Sequence, residues 1–168
     1  MSLTMYEIAV PSMLRGFGVL SSYLDKAAAF AQEVRFPPTQ LLEARLAPDM
    51  FTFAQQIQRA SDKAKNGLAR LAGVEAPSFT DEEVTFDDFK ARIAKTVGFI
   101  ESIDAAKFDG SESRPLELKL RAATGTFRGD RYLLSILLPD FYFHVTTAHD
   151  ILRNQGVQIG KVDYFGRL

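Results

Sequence analysis

The chain has 168 residues, enough for one domain over 1–168 with a core of its own, and no second domain is expected. Its 20 Lys and Arg balance 21 Asp and Glu, leaving a net charge of -1 and no concentrated basic stripe, so a nucleic-acid partner is not expected. With no cysteine, disulfides, thiolate nucleophiles and sulfur-ligated metals are excluded, any metal must use His, Asp or Glu, and the usage suits a reducing cytoplasm, the expected location.

The start, "MSLTMYEIAV", lacks the basic region and apolar core of a signal peptide, and Met1-Ser2-Leu3 is a candidate non-native remnant. Met13, Phe17, Leu20, Leu24, Ala27 or Ala28, and Ala31 then recur every three or four residues, which marks one buried helix face with Pro11 near its start. Gly16 and Gly18 interrupt that helix at about 1 kcal/mol each relative to alanine, which is explained by close approach of another backbone or a ligand or, for Gly18, by a tolerated surface glycine. After the stop "RFPPTQ" and a short helical piece, "LLEARLAP", a second stripe runs through Phe53, Ile57, Ala60, Ala64, Leu68 and Leu71 and closes at Gly73. Thr85 is the expected N-cap of a third helix, with Asp87 and Asp88 in its first turn and Phe89, Ile93, Val97, Ile100 and Ile103 on its apolar face.

Between Lys107 and Arg128 the period changes to two. "RPLELKL" puts Leu116, Leu118 and Leu120 on one face and Glu117 and Lys119 on the other, and "TGTF" returns as a second strand, a small hairpin. From Asp130 to about Gly156, Leu134, Leu137 or Leu138, Phe141, Val145, Ala148 and Leu152 mark a fourth helix. Its run "YLLSILL" is far shorter than the roughly 20 residues of a membrane span, and no membrane partner is expected. The tail "VQIGKVDYFGRL" is expected to pack back on the helices or on a partner. Four long stripes joined by short links and one hairpin describe an all-α four-helix bundle.

Both histidines, His144 and His149, lie on the fourth helix. Two residues on a regular helix face a common ion when they are three or four apart; five apart places them about 140 degrees apart around the axis, one on each shoulder of the apolar stripe. A π-turn near Pro139 would bring such a pair nearly into line. Without one, each imidazole is expected at a helix seam, bonded to a neighbour. Glu43, Asp49, Gln56 and Asp62 are the polar groups to consider as further ligands from the second helical region; Gln56 lies on a shoulder of its stripe, whereas Asp62 points away and is expected to be solvated. No Gly-x-Ser-x-Gly elbow, phosphate loop or His-Glu-x-x-His occurs, and "DEE" at 81–83 is most simply a charged loop. Phe141, Tyr142 and Phe143 point in three directions, so at least one belongs to a pocket wall or an interface.

The segments "LLEARLAPDMFTFAQQIQRASDKAK", "ARLAGVEAPSF", "TFDDFKARIAKTVGFIES" and "LPDFYFHVTTAHDILRNQGVQIGKVDYFG" together resemble an uncharacterised bacterial domain-of-unknown-function family within the DinB-like, or YfiT-like, metalloenzyme superfamily. The resemblance covers nearly the whole chain. It implies a four-helix bundle of up-down-down-up connectivity and, in many members, a divalent metal held by one histidine of the second helix and a His-x-x-x-His pair of the last; some members are thiol-dependent transferases or isomerases. This sequence departs from that pattern. The second helix has no histidine, and four residues after His144 stands Ala148. A single imidazole does not hold a catalytic ion that usually takes three protein ligands. No cofactor is therefore expected; zinc or nickel, if bound, would fall to His144 and His149. The expected function is binding, either of a small ligand at Tyr142, His144 and Gln56 or of a second copy in a homodimer. The alternative is a divergent enzyme of the thiol-dependent type with His144 as the catalytic base, since imidazole titrates near neutral pH.

Overall fold

The computed structural model describes residues 3–119 and 124–166. Leu120 of the expected hairpin face, and Met1 and Ser2 of the suspected remnant, lie outside them. In chain order the elements are α1 (Met5–Glu33), α2 (Pro38–Glu43), α3 (Phe53–Ala72), α4 (Phe86–Glu101), a 3-10 turn (Ala105–Phe108), strands β1 (Pro115–Lys119) and β2 (Thr124–Arg128), α5 (Gly129–Tyr132), a π-helical turn (Leu133–Leu137), α6 (Leu138–Asn154) and α7 (Lys161–Phe165).

Three of the long helices begin at capping boxes. Thr4 with Glu7, Thr52 with Gln55 and Thr85 with Asp88 each exchange side-chain and backbone hydrogen bonds, which satisfies amides that a helix start otherwise leaves unpaired. The first of these boxes starts α1 ahead of Pro11, so that proline lies inside the helix rather than in its first turn. Gly73 ends α3 at φ 69, a left-handed conformation that costs glycine nothing.

The long helices pack in a ring in which α1 touches α4 and α6, and α3 touches α4 and α6. Their apolar stripes meet at its centre, where Phe17, Phe53, Phe89 and Phe141 are fully buried. The closeness of α1 and α6 depends on Gly16. A Cβ there would sit 2.5 Å from the Phe141 ring, whereas nothing lies within 4 Å of one added at Gly18. What approaches Gly16 is therefore a side chain of the last helix rather than another backbone or a ligand, and Gly18 faces open space.

β1 and β2 pair antiparallel, with Leu116 opposite Phe127 and Leu118 opposite Gly125, so the two described leucines of the alternating strand lie buried against the helices. Gly129 leads from β2 into the last long helix, and its backbone abuts the Ser111 carbonyl too closely for any Cβ. Within that helix the Leu138 N–H reaches back five residues to the Leu133 carbonyl. The wide turn stands directly before Pro139, which has no N–H to give the Ser135 carbonyl. Among the described residues, no helix is long and apolar enough to cross a membrane.

Candidate functional site

The π-turn that would align the two histidines exists, but at Leu133–Leu137, upstream of both; Leu138–Asn154 is regular α-helix. His144 and His149 therefore stand at different seams. His149 faces α1, where the fully buried Tyr23 hydroxyl lies 2.7 Å from Nδ1, and Tyr164 of α7 packs edge-on against the imidazole ring. Burial pushes the Tyr23 phenol well above its ordinary range, with Asp163, Tyr164 and Asp150 adding to the effect. The phenol thus keeps its proton at neutral pH and shares a hydrogen bond with Nδ1 as a neutral hydroxyl.

His144 faces α3 and is only 5% exposed. The Gln56 amide nitrogen donates to the Phe51 carbonyl at 3.1 Å, which turns its Oε1 toward the ring, and His144 Nδ1 donates to that oxygen at 2.7 Å. On the other side, Nε2 faces the Asp140 carboxylate at 3.4 Å, and Lys63 Nζ reaches the same carboxylate at 2.7 Å. The His144 ring, and after it Lys63, hold the Asp140 carboxyl below the usual carboxylate range against the opposing effect of its burial. Lys63, Asp140, His144 and Gln56 form one chain of polar contacts from the protein surface into the core. Asp140 carried a sequence signal in its i, i+4 spacing from His144; Lys63 carried none.

Tyr142 belongs to another place. Its hydroxyl donates to the Ser12 carbonyl at 2.9 Å and accepts from Arg15 at 2.8 Å, with the guanidinium 5.2 Å above the ring. Arg15 also donates to the Tyr164 and Phe165 carbonyls, which ties α7 down on α1 and accounts for the folded-back tail. The structure thus joins Gln56 with His144 and sets Tyr142 apart from them. The aromatic triplet divides as its successive directions require, with Phe141 fully buried, Tyr142 half-buried and Phe143 55% exposed.

Asp62 corrects an expectation. It is not a solvated residue but an ion-pair partner of Arg92 at 3.1 Å and Lys65 at 3.2 Å, because α4 packs against the side of α3 that the apolar stripe alone left unassigned. Arg92, which carries no local signal, has a side chain only 1% exposed and also holds Asp81 at 2.9 Å and Glu83 at 2.8 Å. Burial works against ionisation of Glu83, yet the Gln58 amide and the Arg92 guanidinium outweigh it and keep the carboxyl below its ordinary range.

The metal implied by the wider superfamily does not fit these residues. Gln56 offers a neutral amide already bonded twice, His144 has one nitrogen bonded to Gln56 and the other facing Asp140, and the fully buried Ala148 has no donor. Glu43 and Asp49, the other acidic groups considered, are exposed. Among the described residues, no group of three or more His, Cys, Asp or Glu is placed to hold a metal ion.

Comparison with known proteins agrees with this architecture. No functionally curated protein matches the chain. A crystal structure of a DinB family member protein from Shewanella denitrificans superposes with a TM-score of 0.92 at 34% sequence identity, over 98% of this chain and 93% of that one. The family model described as Domain of unknown function (DUF1993) matches residues 5–165, and the chain belongs to that family, within the DinB-like proteins.

Proposed function

We propose that this protein acts by binding, without metal chemistry, and that its partner is a second copy of itself. The observation that carries the first part is that His144 presents neither ring nitrogen to a ligand: one is bonded to Gln56 and the other faces Asp140. A transferase or isomerase that used His144 as a base would first have to free Nε2 from Asp140. For the partner, the support is an aromatic outer face. Phe143 is 55% exposed one turn before Thr146, whose hydroxyl bonds that of Tyr164, and α7 carries the exposed Val162 and Phe165 beside it. Exposed apolar groups from neighbouring elements are what a self-complementary interface covers. The connectivity we assign to the four long helices is up-down-down-up, with segment 73–85 as the crossover between parallel α3 and α4.

A specific observation favours one further binding mode. A groove of about 660 Å³ runs between α1 and α7, floored by Gly18 and walled by Arg15, Ser22 and Asp163. Tyr142 holds Arg15 in that wall, so a small ligand there would be sensed by Tyr142 but not by His144. Sedimentation velocity separates the two modes. The wild type is expected to sediment as a dimer at micromolar concentration, and Phe143→Ser with Phe165→Ser as a monomer of unchanged helicity. A wild type that remains monomeric at the highest soluble concentration rules out the second-copy reading.

A further inference from the structure

None of residues 73–86 is buried, yet this stretch crosses from the end of α3 to the start of α4 in a single ordered path. What holds it is charge. From within α4, the Arg92 guanidinium donates to the Thr80 carbonyl at 3.0 Å and to Glu83 at 2.8 Å, and pairs with Asp81 at 2.9 Å. From α3, Gln58 donates to Glu83 at 2.9 Å and Arg59 to Asp81 at 2.6 Å. The Phe79 ring lies 5.2 Å from the Lys65 ammonium and 5.7 Å from the Arg92 guanidinium, an attraction of cation and aromatic face rather than insertion into the core.

The stretch also separates two hollows. On one side a cavity of about 530 Å³ lies between Phe79 and Thr80 and the outer face of α4 at Ala91 and Lys95. On the other, beyond Glu83 and Val84, a smaller one of about 230 Å³ reaches Leu42 of α2 and Phe89 of α4. Lifting the stretch moves no fully buried apolar side chain, since Val74, which packs against the core, is only partly buried, and it widens access to Leu42, which is 5% exposed when the stretch is down. Local opening follows segments with few buried apolar contacts, and here one buried guanidinium gathers most of the restraint.

We propose that segment 74–85 is a latched strap: Arg92 holds it closed over the cleft between α2 and α4, and breaking its carboxylate contacts opens it as a unit. The chain has no cysteine, so single introduced thiols report on opening cleanly. Leu42→Cys lines the cavity that Glu83 and Val84 of the strap border, and Ala27→Cys, fully buried on α1, reports on opening of the whole fold. Thiol labelling at Leu42→Cys is expected to accelerate at least about tenfold when Arg92→Met is added, and by a smaller factor with Glu83→Gln, while labelling at Ala27→Cys keeps its rate. Equal acceleration at both thiols, or none at Leu42→Cys, overturns the proposal. Should Arg92→Met fail to fold, Glu83→Gln decides by the same comparison, since its partner contacts are at the strap itself.

Discussion

Phe141→Ala is expected to destabilise the protein by about 3–5 kcal/mol, the usual cost of emptying a fully buried aromatic site. The informative result comes from combining it with Gly16→Ala. Alone, Gly16→Ala forces a methyl group against the Phe141 ring and is expected to cost about 1–3 kcal/mol, although alanine is the better helix former. In the Phe141→Ala background the obstruction is gone, and the same substitution is expected to stabilise by up to about 1 kcal/mol through helix propensity. The sign of one substitution should thus reverse with the state of its neighbour, a coupling that urea unfolding of the four proteins measures directly. If Gly16→Ala costs the same in both backgrounds, Phe141 is not the reason for the glycine.

His144→Ala should also be costly, and for a different reason. It strands the Gln56 Oε1 in a site only 1% exposed and leaves a void at the α3–α6 seam, for an expected loss of about 2–4 kcal/mol. Replacing both partners with apolar groups of similar volume, Gln56→Leu with His144→Leu, should recover much of that loss, because no buried polar atom is then left without a partner. Had the ring been kept only for chemistry, His144→Ala would leave stability unchanged. Asp140 extends the prediction to pH. Its folded pKa is held below the ordinary value of 3.8, so its contribution is present above that pH and is lost as pH falls through the lowered folded value. The wild type should accordingly lose stability more steeply than Asp140→Asn in acid titrations below pH 3.8.

Much of the fold was legible because it rests on local rules. The three- and four-residue recurrence through Phe53, Ile57, Ala60 and Ala64 names the buried face of α3 without reference to any other helix, and Thr85 with Asp88 announces the start of α4 by spacing alone. The hairpin announced itself when the period changed to two at Leu116 and Leu118. The π-turn had a local cause in Pro139, but its position, upstream of the histidines rather than between them, did not follow from the sequence.

The candidate site was legible only in part. The angle between His144 and His149 follows from helix geometry, and it correctly separates them. What each imidazole touches does not follow, since Tyr23 and Gln56 come from other helices far away in the chain, as does Lys63 behind Asp140. Asp62 shows the limit most plainly. Its direction off the α3 stripe suggests solvent, but that direction is where α4 brings Arg92, and a stripe records only where the core lies. Nearness in sequence suggests grouping Tyr142 with His144, whereas two positions along a helix turn a side chain about 200 degrees, toward Arg15 and α1.

The most direct test of the central claim, that this member of the family binds without metal chemistry, is the metal content of the purified protein before and after addition of excess zinc and nickel, for the wild type and for His144→Ala. No stoichiometric metal in either protein under saturating conditions is the expected result. One equivalent held by the wild type and lost in His144→Ala would contradict the account, since His144 Nε2 would then hold the ion in place of its contact with Asp140.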